Sequence, residues 1–296
     1  MSLGSWRSFE RISRDDGVDV MRAAREAGVD FLDDARYDDE SGKAPIPTGY
    51  SEVVFGELFR AAGWRRDEVT VANKLWWEHW PEEDAAAELD GSLGRMGLDH
   101  VDLIYAIAPP QHLAVADVVG QVGGLLDSGR ARAWGTGMWS ATLIADAVDV
   151  CDQSGVPRPA AAQMACSLAQ HDQATDPAMR AVLAGADIGL VAASVLAAGT
   201  LTGKYLDGGT GRAAGDDSPL ARRGKEIAAT LTRLAAEWGV TPTHLAFCYA
   251  LGQPQLASVL FGATTADHVR TNVAAVDVYE ALDHRQRDAV AALAAR

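Results

Sequence analysis

Asp33 closes the apolar run "VDFLD" (29–33), and Lys74 stands inside another, "VTVANKL" (69–75). A lone buried charge is costly, so Lys74 needs a carboxylate partner, and Asp33 can supply it. Such a pair can serve only to fix the register of two strands. It can also do chemistry when a phenol is close. A lysine cation pulls a tyrosine pKa down from about 10 and makes the hydroxyl a usable proton donor. Two tyrosines are candidates. Tyr37 lies four residues past Asp33, and Tyr50 lies seventeen past, beyond Pro45, Pro47 and Gly49, which favour a bent loop. Short separation fixes geometry better than a long loop, which favours Tyr37.

These residues need elements to hold them. Eight short apolar runs recur along the chain: 3–6, 29–33, 69–75, 101–107, 131–137, 160–166, 188–196 and 257–263. They are apolar throughout rather than alternating, which suits parallel strands covered on both faces. Each is followed by a stretch of helical spacing, such as "EVVFGELFRAAG", and several of these end in glycine. Eight such units predict a single-domain (β/α)8 barrel over residues 1–296 rather than an open doubly wound sheet. Long βα loops are expected at 36–50 and 197–224.

In a barrel the site lies at the carboxyl ends of the strands. That accounts for "FLDDARYDDE" (31–40), where a buried strand runs directly into five carboxylates. Asp33 points to the site, and Asp38, Asp39 and Glu40 read as solvated loop charges. Trp76, Trp77 and Trp80 follow Lys74 closely, as an apolar substrate wall would.

Composition excludes several classes. The 296 residues are 48% hydrophobic and 23% charged, as in a globular protein with a large core. A net charge of −15 has the wrong sign for nucleic acid or an anionic membrane. Cys151, Cys166 and Cys248 lack metal or redox spacing and read as buried thiols. The seven histidines show no ligand spacing, so no metal is expected. With no signal-like or membrane-length apolar run, the expected location is the cytoplasm. "GTLTGKY" (199–205) is too short for a phosphate loop and lacks its Ser/Thr, which argues against ATP. Oligomeric state is not legible.

From end to end the chain resembles the aldo-keto reductases. "LGSW", "GVDFLDDA", "YSEVVFGELF", "VANKLWW", "SLGRMGLDHVDLIY", "LTGKYLDG" and "VLFGATTADHVRTN" carry the likeness in order, and "WGTGMWS" and "GWRR" resemble the branch containing potassium-channel β-subunits. The resemblance implies reduction of an aldehyde or ketone by hydride transfer from a nicotinamide cofactor. It assigns Asp33, Lys74 and a tyrosine to catalysis. Where the family has a carbonyl-orienting His, this chain has Ile107, which cannot hydrogen-bond. Losing such a donor costs several kcal/mol of transition-state stabilisation. A cofactor-binding regulator or redox sensor with little turnover is therefore the alternative.

The resemblance places the cofactor on Ser5, Trp6, Asp33, Gln163, Ser194, Leu196, Gly199 and Lys204, clasped by the glycine-rich stretch 206–217. Ala193 stands where relatives stack an aromatic on the nicotinamide, and Gly137-Met138 where they carry Ser-Asn or Ser-Arg. At the adenosine end it points to Gly262, Thr264, Thr265, His268 and Asn272 on a helix amino terminus, which suits an anion. NADPH is the expected cofactor, with NADH not excluded, because many relatives have Lys and Arg at the sites of Gly262 and His268. Trp76, Trp77 and Ile107 would face a small apolar carbonyl substrate.

Overall fold

The computed structural model describes residues 1–40 and 42–295. Eight parallel strands pair in chain order and close on themselves: β1 (Ser2–Gly4), β2 (Phe31–Asp33), β3 (Thr70–Leu75), β4 (Val101–Ile107), β5 (Ala131–Gly137), β6 (Ala161–Ala165), β7 (Gly189–Ala193) and β8 (Leu256–Gly262). This is the expected (β/α)8 barrel. Each strand falls on one of the eight apolar runs, with ends shifted by a few residues.

The helices form the outer ring. In the first half they are α1 (Arg14–Glu26), α2 (Tyr50–Ala61), α3 (Ala85–Met96), α4 (Val115–Asp127) and α5 (Ala141–Ser154). The second half holds α6 (Asp172–Thr175), α7 (Pro177–Ala186), α8 (Pro219–Trp238), α9 (Pro242–Leu251) and α10 (Ala266–Val273), and then α11 (Ala275–Ala281) and α12 (His284–Ala291). Local chemistry sets their ends. Side chains of Ser13, Asp84, Ser140, Asp176, Ser218, Thr241, Thr265 and Asp283 cap amino termini, and Gly97, Gly155 and Gly239 end helices in left-handed conformation.

Most buried apolar residues pack between the sheet and this ring. A smaller cluster of Ala72, Leu103, Tyr105, Ala161 and Val191 fills the barrel, with Phe31, Ala133 and Leu260 against it. Tyr105 is large for that place, and its neighbour strand makes room. A Cβ on Gly135 would stand 3.0 Å from the Tyr105 ring and 2.5 Å from the Ala161 carbonyl. One on Gly137 would stand 2.5 Å from Ile107. The two glycines of "WGTG" thus let β4 carry bulk directly below the site.

The first long loop is pinched rather than open. Asp38 bridges Thr48 in antiparallel fashion, and the Gly49 N–H donates to the Tyr37 carbonyl at 2.9 Å. Tyr37 therefore sits at the neck of the excursion, while Tyr50 begins α2; Ser41 is outside the described residues. Glu40 is no free loop charge, because it pairs with Arg7 and Arg11. The second long loop ends earlier than expected. A 3-10 segment covers Ala197–Thr202, and helix resumes at Pro219 rather than after 224, because Ser218 caps and proline is preorganised for a first turn.

Candidate active site

The carboxyl ends of the strands surround a cavity of about 1140 Å³. At its floor, Asp33 and Lys74 lie on adjacent strands and point into the barrel. Lys74 Nζ donates to Asp33 Oδ1 at 2.5 Å, and Gln163 Nε2 from β6 donates to Asp33 Oδ2 at 2.8 Å. Both members of the pair are buried. Lys74 Nζ also lies 3.2 Å from Tyr37 Oη. The hydroxyl of Tyr50 is elsewhere, accepting from Arg14 at 3.0 Å on the outer side of α2.

The electrostatics differ from the simple expectation. Burial pushes the Tyr37 phenol up. Lys74 pulls it back down, but Asp33 and Asp34 push it up again, so its pKa ends above the ordinary tyrosine value rather than below it. Burial alone would lower the Lys74 ammonium, but Asp33 and then Tyr37 outweigh it and hold the pKa above normal. A phenol carrying its proton beside a fixed cation is the resting state.

The walls are aromatic and apolar. Trp6 is 44% exposed at the rim, with its ring centre 6.4 Å from Tyr37, and Trp76 meets Tyr37 edge-on at 6.0 Å. Glu88 on α3 holds the Trp76 turn by accepting its backbone N–H at 2.8 Å. Ile107 lines the cavity beside Met138, which is 56% exposed. Trp77 does not face the cavity as expected. It is 2% exposed, donates to the Ile107 carbonyl at 3.0 Å, and packs edge-on against Trp80.

Four turns share one distortion. Arg7, Trp77, Met138 and Ser194 follow β1, β3, β5 and β7, and all are left-handed, with φ between 54 and 64°. A non-glycine residue there costs on the order of 1–3 kcal/mol and persists only where its surroundings demand it. The Met138 N–H, for example, is held by the Gln163 carbonyl at 2.9 Å. The odd-numbered strands thus bend their turns at the cavity rim.

Of the residues expected at the cofactor, Trp6, Asp33, Gln163, Ser194, Leu196, Gly199, Lys204, Gly262, Thr264, His268 and Asn272 all line the cavity. Ser5 does not. It is fully buried, and its hydroxyl bonds the Asp34 carboxylate. Thr265 does not either, because its hydroxyl is spent capping α10, accepting from the His268 N–H at 3.2 Å. Gln163 lines the cavity, yet its amide nitrogen is committed to Asp33.

Sequence reading missed Arg212. It lies in "GTGRAAG", where glycines signal a chain able to close over a ligand, and its Nη2 reaches back to the Arg7 carbonyl at 2.8 Å. Its guanidinium lies 5.5 Å from the Trp6 ring centre, with that of Arg7 at 4.8 Å. Burial, then Arg7 and Arg11, lower its pKa. Among the described residues neither Arg212 nor Lys204 has a carboxylate partner. Phe247 and Thr243 on α9 were also missed, since nothing local marks a residue brought in by the outer ring.

A model of the Aldo/keto reductase family matches residues 1–295. A "Probable voltage-gated potassium channel subunit beta" of Oryza sativa subsp. japonica is 28% identical over 316 aligned residues, which cover 99% of this chain and 92% of that one. A protein of the same description from Arabidopsis thaliana is 28% identical over 300, covering 94% and 87%. With the family's match extending over barrel and cavity alike, the chain belongs to the aldo/keto reductase family of oxidoreductases.

Proposed function

We propose that the protein is an NADP(H)-dependent reductase of small apolar aldehydes or ketones, acting in the cytoplasm. The observation that carries this reading is Tyr37 Oη at 3.2 Å from Lys74 Nζ, with Asp33 behind it, on the floor of an aromatic cavity. A bound nicotinamide would supply the hydride. Lys204 and Arg212, cations with no carboxylate partner among the described residues, suit a pyrophosphate, and the amino terminus of α10 with Thr264 and His268 suits a further phosphate. The left-handed turn from Ser194 to Gly199 brings backbone close to the same place.

Tyr37 holds its proton at neutral pH and gives it to the substrate oxygen as that oxygen gains charge. Lys74 stays cationic throughout and stabilises the phenolate left behind, and Asp33 keeps Lys74 in position. Trp6, Trp76, Ile107 and Met138 exclude water from the reacting carbonyl and favour an apolar substrate. Oxidation of NADPH, followed optically with a panel of aldehydes and ketones, tests the reading. Consumption that depends on both the carbonyl and Lys74 supports it.

The second reading, a cofactor-binding regulator or redox sensor with little turnover, is favoured by one observation. Ile107 places an aliphatic side chain at the cavity wall where a donor would help the carbonyl. The similar plant proteins described as channel β-subunits are compatible with it. Tight NADPH binding with no carbonyl in the panel reduced would select this reading.

A further inference from the structure

Behind the catalytic pair lies a second buried polar cluster that the chemistry above does not use. Asp34 follows Asp33 and points the other way, out of the barrel toward α2. It is completely buried. One carboxylate oxygen bonds the hydroxyl of Ser5, which is also completely buried, and the other, Oδ2, has no partner. Its backbone N–H is fixed on the Ala72 carbonyl at 3.1 Å.

The charged groups around it can be counted. Glu52 faces Asp34 from α2 and is completely buried; it accepts from Arg95 of α3 at 2.5 Å and from Asn73 of β3 at 2.9 Å. Lys74 of β3 is engaged by Asp33 at 2.5 Å. Three carboxyl groups, those of Asp33, Asp34 and Glu52, therefore face two cations, Lys74 and Arg95, each already taken. A third buried negative charge beside Glu52 would be uncompensated, and a group so placed neutralises instead. Asp34 is the member with no cation and an empty oxygen. Burial, and next Glu52, raise its pKa well above the ordinary carboxyl range, against the opposing pull of Ser5, the Ala35 N–H and Lys74.

Its one side-chain partner is a hinge of the cavity wall. Ser5 donates its N–H to the Asp33 carbonyl at 3.0 Å and accepts on its own carbonyl from the Ser8 hydroxyl at 2.7 Å. Between them the chain turns through Trp6 and left-handed Arg7. Ser5 is thus the buried root of the turn that lays Trp6 beside Tyr37.

We propose that Asp34 is a positioning residue, held as the neutral carboxylic acid, which pins Ser5 and with it the turn carrying Trp6; ionisation of Asp34 at alkaline pH sets a second buried negative charge against Glu52, which pushes the carboxylate toward water with its Ser5 donor still attached, and so loosens that turn and opens the cavity rim. No bond other than the acid's O–H is broken, and the proton passes to solvent.

The test uses the full chain as wild type, Asp34→Asn and Ser5→Ala. At neutral pD, infrared spectroscopy of the wild type should show the carbonyl stretch of a protonated carboxylic acid, absent from Asp34→Asn. A spectrum in which that band survives the substitution, or never existed, overturns the proposal. Acrylamide quenching of the Trp6 contribution, taken as the difference from Trp6→Phe, should rise roughly twofold in the wild type as the pH becomes alkaline. It should stay flat in Asp34→Asn and be high at every pH in Ser5→Ala. Identical pH courses for wild type and Asp34→Asn would sink the idea.

Stability gives an independent reading. The native state holds this proton more tightly than the unfolded chain, so its contribution is complete below the ordinary carboxyl value and is lost as pH rises through the native one. The thermal midpoint of the wild type should consequently fall relative to Asp34→Asn with rising pH, and a constant difference would count against the proposal. None of these measurements needs turnover. They can fail while carbonyl reduction stands, and they can succeed where no carbonyl is reduced.

Discussion

Tyr37, Lys74 and Asp33 form one unit, so their substitutions should not act independently. Lys74→Met should lower kcat/KM for carbonyl reduction by about 10²–10⁴-fold while NADPH affinity, read by fluorescence titration, stays nearly intact. Tyr37→Phe should do the same, and Tyr50→Phe should leave the rate unchanged, because its hydroxyl is engaged by Arg14 at 3.0 Å, away from the cavity. Activity retained in Tyr37→Phe and lost in Tyr50→Phe would reverse that assignment. Ile107 offers the opposite kind of test. Reduction of simple aldehydes should be slow, and Ile107→His should raise kcat by about tenfold or more if the ring reaches the substrate oxygen. The site is tight, since a Cβ on the facing Gly137 would already stand 2.5 Å from the side chain at 107. A wild type already fast on such aldehydes would mean that another donor serves.

The strands and loops carry their own consequences. β5 presents Gly135 and Gly137 toward the bulk of β4, and that fit is a matter of tenths of an ångström. Gly135→Ala should destabilise the fold by about 1–3 kcal/mol, because the new methyl meets the Ala161 carbonyl and the Tyr105 ring together. Chemical denaturation measures this, and an unchanged midpoint would show that the barrel relaxes at little cost. Arg212 ties the stretch 206–217 to the first turn by way of the Arg7 carbonyl. Arg212→Ala should weaken NADPH binding by about tenfold, the scale of one charge-assisted hydrogen bond, and make binding less sensitive to salt. Equal affinity for both proteins would place Arg212 outside the cofactor contacts.

For the molecule entire, a ligand that binds only the folded barrel stabilises it. NADPH at 100 times its dissociation constant should add about 2.7 kcal/mol, seen as a raised thermal midpoint. Millimolar NADPH and NADH both leaving the midpoint unmoved would remove the cofactor assignment altogether, and with it both functional readings. The net charge of −15 gives the result added meaning. An anionic ligand gains nothing from the overall field, so any affinity has to come from local cations such as Lys204 and Arg212.

Residue order alone determined the barrel, because eight apolar runs separated by helical spacing have few other ways to bury themselves. It also determined the Asp33–Lys74 pair, since two opposite charges in neighbouring apolar strands must meet. What it left open depended on contacts between distant segments. Tyr37 and Tyr50 were separated only when the loop pinched at Asp38 and Thr48. Trp76 and Trp77 are adjacent in sequence, yet the left-handed backbone at Trp77 turns one to the cavity and the other into the core. Ser5 and Thr265 were drawn away by Asp34 and by a helix amino terminus, partners that no local pattern reveals. The phenol's pKa, too, was decided by burial, which outweighs a cation 3.2 Å away and which exists only after the chain has folded.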